Sequence, residues 1–126
     1  MRGERRMAVG VGLPASLPGA SGHDLVDWAQ RADAGPFASV AMLDRLRYGN
    51  YEPLVALSAA AAVTDRVELF TCILISPLRE TATLAKQLSS LDALSGGRLT
   101  AGLAIGARED DYASSEQDYA GRGARL

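Results

Sequence analysis

The chain has 126 residues, of which 48% are hydrophobic and 22% are charged. This balance is typical of one globular domain and excludes both a disordered chain and a pair of ordinary domains. The net charge of −2 gives no general attraction to nucleic acid or to an anionic membrane, so neither is expected as a partner. The single cysteine and the single histidine exclude an internal disulfide and metal sites built from several such residues.

The first six residues contain three arginines, and no long apolar stretch follows them. They do not resemble a secretory signal, so we expect residues 1–6 to form a flexible leader before a fold that begins near Met7. No apolar run approaches the roughly 20 residues that a membrane span requires. We therefore expect a cytoplasmic protein.

Four apolar runs predict buried strands. Each run is mostly continuous rather than strictly alternating, which suits parallel strands that are covered on both faces. The predicted strands cover residues 8–13, 39–43, 67–75 and 99–105.

Three helical patterns lie between these strands, at residues 21–33, 53–63 and 80–94. The first begins at Ser21, which with Asp24 resembles a capping box. The second has Pro53 in its first turn, where a missing N–H costs little. The third ends at Gly96 and Gly97, because glycine accepts a left-handed helix cap easily.

The strand starts lie about 31, 28 and 32 residues apart, and a complete eight-unit barrel of roughly 250 residues has about 31 residues per unit. Strands separated by helices imply right-handed parallel crossovers. We therefore predict an α/β fold, the first four strand–helix units of a parallel (β/α) barrel of the TIM type, over residues 7–126. An open four-stranded sheet fits the spacing almost as well. The acidic, glycine-containing segment 107–126 is predicted to be an exposed loop or tail.

Several segments resemble one known family. Residues 92–103 read Asp-Ala-Leu-Ser-Gly-Gly-Arg-Leu-Thr-Ala-Gly-Leu, residues 76–79 read Ser-Pro-Leu-Arg, residues 43–45 read Leu-Asp-Arg, residues 106–112 read Gly-Ala-Arg-Glu-Asp-Asp-Tyr, and the chain closes with Gly-Arg-Gly-Ala-Arg-Leu. In this order and spacing they resemble the luciferase-like monooxygenase family of flavin- or deazaflavin-dependent oxidoreductases. The resemblance extends from about Met7 to Leu126.

The resemblance implies a (β/α)8 barrel with FMN or the deazaflavin coenzyme F420 across the carboxyl ends of the strands. A complete barrel would perform monooxygenation or hydride transfer on a small organic substrate. We expect a chain of four units to be the amino-terminal half, to lack much of the cofactor's phosphate site and to need the other half for activity. Open sheet edges favour self-association. A non-catalytic gene fragment and a small α/β interaction module are the alternatives.

Three residues are candidates for a catalytic role. Asp44 and Arg45 follow the second strand, where some deazaflavin-dependent relatives have an Asp-His pair. Arg45 replaces that histidine, and its permanent charge would stabilise negative charge on a reduced flavin or on a substrate. An ion pair between Asp44 and Arg45 within the loop is the alternative. Glu109, after the fourth strand, is a candidate to hydrogen-bond substrate or cofactor, although such acidic loop residues are usually only solvated.

Four residues are candidates for cofactor binding. The resemblance places a non-prolyl cis peptide at Cys72–Ile73, in a bulge with Thr71 that supports the flavin ring in the complete barrel. A plain buried strand with an inert thiol is the alternative. Gly106 follows the fourth strand, where the absence of a side chain would let the backbone approach a planar ring. The sequence predicts no metal site.

Overall fold

The computed structural model describes residues 7–126, so the predicted leader 1–6 lies outside the described residues. Strands and helices alternate along the described chain. They are β1 (Gly10–Gly12), α1 (Gly22–Ala34), β2 (Ser39–Met42), α2 (Pro53–Ala62), β3 (Glu68–Ile75), α3 (Thr81–Leu94), β4 (Leu99–Ala104) and α4 (Glu109–Ser115), with short 3₁₀ turns at Ser76–Leu78 and Arg122–Arg125. Within residues 7–126, no helix is both long and apolar enough to cross a membrane.

The strands form one parallel sheet in the order β1-β2-β3-β4. Strand side chains such as Val40 and Leu69 pack in one core with Leu25 of α1, Leu57 of α2 and Leu91 of α3. The three long helices therefore cover the same face of the sheet. A doubly wound open sheet would have helices on both faces, whereas consecutive strand order with helices on one face is the arrangement of a barrel segment.

The helix ends have the local structure that the sequence predicts. The side chain of Ser21 caps α1 by accepting a hydrogen bond from the Asp24 amide, and Asp24 accepts one from the Ser21 amide at 2.7 Å. Pro53 is the first residue of α2. After α3, Gly96 and Gly97 have φ angles of 71° and 81°, which residues other than glycine rarely adopt.

Arg98 follows these two glycines and contacts the end of α2. Its guanidinium donates hydrogen bonds to the carbonyl oxygens of Ala61 at 3.2 Å, Thr64 at 2.7 Å and Val67 at 2.8 Å. These acceptors include carbonyls at the end of α2, which have no partner within the helix itself. The Gly-Gly turn therefore directs a side chain that fastens the end of α2 to the start of β3 and β4.

The prediction of an exposed loop or tail at 107–126 is wrong for its first part. Helix α4 occupies that part, and Asp111 and Tyr112 are 0% and 1% exposed. The Tyr112 hydroxyl donates a hydrogen bond to the carbonyl of Ile105. Acidic residues suit a first helical turn because the helix dipole favours negative charge there. The remaining residues, 113–126, are exposed or half-buried.

Candidate active site at the carboxyl ends of the strands

The carboxyl ends of parallel strands meet at one edge of the sheet, where barrel enzymes build their sites. The structure brings the predicted site residues to this edge or close to it. Asp44 and Arg45 follow β2, Gly106 and Glu109 follow β4, and Thr71, Cys72 and Ile73 lie in the middle of β3, the strand between these two.

Asp44 is a buried anchor, 7% exposed. Its Oδ2 accepts hydrogen bonds from the Ile75 amide at 2.8 Å and from Arg79 Nη1 at 2.6 Å, and its Oδ1 accepts one from Arg79 Nη2 at 3.2 Å. Burial alone would lower the pKa of Arg79, but hydrogen bonds to Asp44 and Glu52 raise it above its usual value. Asp44 therefore ties the end of β2 to the end of β3 and acts through these partners.

Arg45 does not pair with its neighbour Asp44. Its Nε lies 2.6 Å from Asp111 Oδ2, its Nη2 lies 3.4 Å from Asp110 Oδ2, and its guanidinium carbon lies 5.7 Å from the centre of the Tyr48 ring. The hydrogen bond to Asp111 raises the pKa of Arg45. A permanent positive charge, 23% exposed, is thus fixed at this edge.

Asp111, which is not among the residues predicted from the sequence, holds the loop that carries Arg45. Its Oδ1 accepts hydrogen bonds from the amides of Leu46 at 3.0 Å and Arg47 at 2.8 Å. Burial raises the pKa of Asp111, but the hydrogen bonds from the Arg47 amide and from Arg45 outweigh it and hold the pKa below its usual value. In the sequence, the only local indication that Asp111 is buried is its position next to Tyr112, within an acidic segment.

The middle of β3 contains a bulge, with a register shift between Thr71 and Leu74 and a cis peptide between Cys72 and Ile73. The cis peptide stands where the family resemblance implies it. Cys72 is exposed, and Ile73 is 44% exposed. Thr71 is only 1% exposed, and its hydroxyl donates to the carbonyl of Gly102 at 2.9 Å. The bulge therefore leaves Cys72 and Ile73 accessible, whereas the side chain of Thr71 is buried.

Two glycines of the fourth strand–helix unit allow close approach to residues of β3. A Cβ at Gly102 would lie 2.5 Å from the Thr71 carbonyl oxygen, so only glycine lets β4 approach the bulge. Gly106 has a φ of 68°, and a Cβ there would lie 2.9 Å from Ile75 Cγ2. The left-handed backbone and the close approach of Ile75 explain why glycine stands at position 106. A contact between Gly106 and a cofactor stays a prediction. Glu109 is exposed at the first residue of α4.

A cavity of about 410 Å³ lies beside this edge, between the loop after β1 and the loop after β2. It is lined by residues 15–20 and 48–51, including Tyr48 and Tyr51. Arg45 is not among the lining residues, but its guanidinium lies against the ring of Tyr48, which is one of them. Its volume is within the range of pockets that hold small organic molecules.

Together these groups suit a planar ligand that becomes negatively charged. Arg45 supplies a guanidinium that is paired with Asp111, Ile73 supplies an exposed apolar side chain, and Cys72 supplies an exposed thiol. A reduced flavin or deazaflavin ring has this character, so the residues present fit such a group.

Several solved structures have the same fold. A monooxygenase from Streptomyces bottropensis superposes with a TM-score of 0.81 at 29% identity, covering 94% of this chain and 39% of that chain. The oxygenating constituent of 3,6-diketocamphane monooxygenase from Pseudomonas putida, in complex with FMN, gives 0.74 at 23% identity, covering 87% and 32%. The coenzyme F420 dependent tetrahydromethanopterin reductase from Methanopyrus kandleri gives 0.73 at 23% identity, covering 90% and 31%. The prediction of a partial TIM-type barrel is thereby confirmed.

Sequence comparison also finds relatives of this chain. An uncharacterized protein of Mycobacterium tuberculosis H37Rv is 37% identical over 83 residues, which are 65% of this chain and 29% of that protein. The chain thus spans less than a third of the length of the curated relatives it matches. The family model for luciferase-like monooxygenases matches residues 7–126, the whole of the described chain. This protein belongs to the luciferase-like monooxygenase family.

Proposed function

We propose that this chain forms the amino-terminal wall of a flavin- or deazaflavin-dependent oxidoreductase that acts on a small organic substrate. The observation that carries the proposal is the presence of a fixed guanidinium after β2 and an exposed apolar bulge in the neighbouring strand β3. Arg45 is held there by Asp111, and Ile73 is exposed on the adjacent strand. Structural neighbours that contain FMN or depend on coenzyme F420 support both cofactor classes.

Each residue of the edge has a role that follows from its surroundings. Arg45 would stabilise negative charge that develops on the ring or on the substrate, since a preorganised cation needs no reorganisation during reaction. Ile73 and Cys72 would pack against the ring. Asp44, with both oxygens occupied, is a positioning residue. Glu109, exposed after β4, would hydrogen-bond the substrate or the ring.

The cofactor, when bound, supplies the hydride-transfer or oxygen-transfer chemistry. The chain's own part is to orient the ring, to exclude water from one side of it and to keep a positive charge beside it. The cavity next to Tyr48 and Tyr51 would receive the substrate, because Tyr48 lines it and also contacts Arg45.

Activity of the whole enzyme requires more than this chain provides. The chain covers only 39% of the Streptomyces bottropensis monooxygenase, and barrel phosphate sites commonly use the loops after strands seven and eight. We therefore propose that cofactor binding and turnover need the remaining strand–helix units. The uncovered face of the sheet disfavours the alternative of a self-contained interaction module. The exposed free thiol of Cys72 is consistent with a reducing, cytoplasmic compartment.

A chimeric barrel tests the proposed function. This chain would be fused to the part of the Streptomyces bottropensis monooxygenase that follows its matched segment, and folding would be verified by circular dichroism. The chimera and the remainder alone would be incubated with FMN or with coenzyme F420 and passed through gel filtration. Retention of one cofactor by the chimera, above that of the remainder, supports the proposal and identifies the cofactor class. A folded chimera that retains neither cofactor overturns it.

A further inference from the structure

The cavity between the loops after β1 and β2 has a lining without charge. The described residues that form it, at positions 15–20 and 48–51, are alanine, glycine, leucine, proline, serine, asparagine and tyrosine. Arg45, which contacts the Tyr48 ring, is already paired with Asp111 at 2.6 Å. An ionised group that entered the cavity would lose water and would meet no counter-charge from the lining, which is strongly disfavoured. The lining therefore favours a ligand without charge.

Two tyrosine rings give the cavity flat apolar surfaces. The side chains of Tyr48 and Tyr51 are both exposed, so each ring has surface free for a ligand. The Tyr48 ring is held against Arg45, whose guanidinium carbon lies 5.7 Å from the ring centre. The Tyr51 hydroxyl lies close to the start of α1, where a Cβ at Gly22 would be 3.6 Å from it. Aromatic rings bind other aromatic rings by offset stacking or by edge-to-face contact, so this pair favours a planar ligand.

Asn50 adds a hydrogen-bond acceptor to the same cavity. Its amide nitrogen donates to the Tyr51 carbonyl oxygen at 3.0 Å. Its Oδ1 atom is buried and accepts no hydrogen bond from residues 7–126, although nearly all buried polar groups in proteins have a partner. Because Asn50 lies in the cavity wall, a small turn of its side chain would let Oδ1 accept a hydrogen bond from an O–H or N–H group of a ligand.

We propose that this cavity binds a neutral, planar ring compound that carries an O–H or N–H group. The ring would lie against Tyr48 and Tyr51, and the donor would face Asn50. The volume of about 410 Å³ is in the range of pockets for small organic ligands. That this compound is the substrate rests on the proposed function, whereas its binding requires no cofactor. A neutral ground state agrees with the role proposed for Arg45, because that role concerns charge that develops during the reaction.

Two other classes of ligand fit the lining less well. A carboxylate or a phosphate ester would have to compete with Asp111 for Arg45, and the cavity itself offers it no cation. A saturated, non-planar ring would fill similar volume but would lose the aromatic contact with the tyrosines. Both classes therefore serve as comparison ligands.

Titrations with four matched probes test the proposal. The full chain, with its fold verified by circular dichroism, would be titrated without cofactor and followed by NMR. The probes are 2-naphthol, its methyl ether, the corresponding carboxylate and the corresponding saturated alcohol, which differ in the donor, the charge and the planarity. We expect naphthol to bind about fivefold or more tightly than each of the others. Absence of naphthol binding, or equal or tighter binding of any other probe, overturns the proposal.

Variants of the tyrosines locate the bound ring. Tyr48→Leu and Tyr51→Leu should each weaken naphthol binding by about fivefold or more, whereas Tyr48→Phe keeps the ring and should stay within about twofold of wild type. Trp28→Leu is the matched control: Trp28 is 40% exposed, as is Tyr51, but it lies on α1 and does not line this cavity. It should leave the affinity unchanged. A loss in Trp28→Leu as large as that in Tyr51→Leu contradicts the assigned site.

Asn50→Ala tests the hydrogen bond separately from the stability of the loop. It should abolish the preference for naphthol over its methyl ether, because a general loosening of the loop would weaken both probes alike. A preference that persists in Asn50→Ala contradicts the role of Asn50.

The same titrations in the cofactor-free chimeric barrel give an independent measurement on the same loops, and we expect the same order of affinities. Cofactor retention by the chimera is a separate readout. Naphthol binding without cofactor retention would overturn the proposed function alone, and cofactor retention with no preference among the probes would overturn the present inference alone.

Discussion

The Nε atom of Arg45 lies 2.6 Å from Oδ2 of Asp111, and this contact joins the loop after β2 to helix α4, 66 positions further along the chain. The other oxygen of Asp111 accepts hydrogen bonds from the Leu46 and Arg47 amides. One buried carboxylate thus fixes both the backbone that carries Arg45 and the side chain itself. The position of the site's cation therefore depends on α4.

Removing the charge of Asp111 should destabilise the protein. Asp111→Asn leaves Arg45 without its closer, buried ionic partner, and charge-assisted hydrogen bonds of this kind contribute about 2 kcal/mol. We expect the free energy of unfolding, measured by urea titration with circular dichroism, to fall by about that amount. Asp110→Asn is the control: Asp110 is 43% exposed and 3.4 Å from Arg45, so its loss should cost under about 0.5 kcal/mol. Equal effects of the two variants would refute the assigned role.

The contribution of Asp111 should also depend on pH. Its folded-state pKa lies below the usual value, and an aspartate in an unfolded chain has a pKa of about 3.9. Its stabilisation is therefore complete above the unfolded pKa and is lost as the pH falls through the folded one. In a series of urea titrations, the difference between wild type and Asp111→Asn should be constant near neutrality and should shrink below about pH 4. A difference that grows on acidification would be inconsistent with this sign.

Replacing the buried Asp44 should also lower the free energy of unfolding. Asp44→Asn breaks a two-point ion pair with Arg79 and weakens the bond to the Ile75 amide, so we expect a loss of about 2–3 kcal/mol. Asp27→Asn removes an exposed pair with Arg31 and should cost at most about 0.5 kcal/mol. Urea unfolding of both variants measures the contrast. Similar stabilities would show that the buried pair is not an anchor.

The local parts of this fold could be predicted from the sequence, and the long-range parts could not. The capping box at Ser21 and the glycine cap at Gly96 depend on neighbouring residues alone, so their signals are local. The pairing of Arg45 with Asp111 crosses from the second unit to the fourth and leaves no periodic pattern. Asp44 was correctly placed at the strand edge, but its partner Arg79 is fixed only when β2 and β3 align.

The lengths of the strands and the faces of their side chains were also only partly predictable from the sequence. The apolar runs located all four, but β1 is three residues long where six were predicted. As an edge strand it has only one neighbour, so fewer of its residues form ladder bonds. In β3 the bulge between Thr71 and Leu74 changes which side chains face the open side. Simple alternation therefore could not show that Thr71 is buried while Ile73 is exposed.

Arg98 should stabilise the fold from the edge opposite the site. Arg98→Met removes the hydrogen bonds that its guanidinium donates to three backbone carbonyls around the end of α2. We expect the free energy of unfolding to fall by about 2–3 kcal/mol. Arg31→Met, at a side chain 79% exposed, should have little effect. A thermal-denaturation comparison checks this, and matching melting temperatures for the two variants would count against the prediction.

Arg45 is proposed to supply the positive charge beside a bound flavin or deazaflavin ring. The most direct test is the dissociation constant of the retained cofactor in the chimeric barrel, measured by fluorescence titration for wild type, Arg45→Met and Arg47→Met. Arg47 is an exposed neighbour and serves as the control. We predict that Arg45→Met weakens binding of the reduced cofactor by about tenfold or more, a change of about 1.4 kcal/mol, while Arg47→Met leaves it unchanged. Equal dissociation constants for wild type and Arg45→Met would contradict the account.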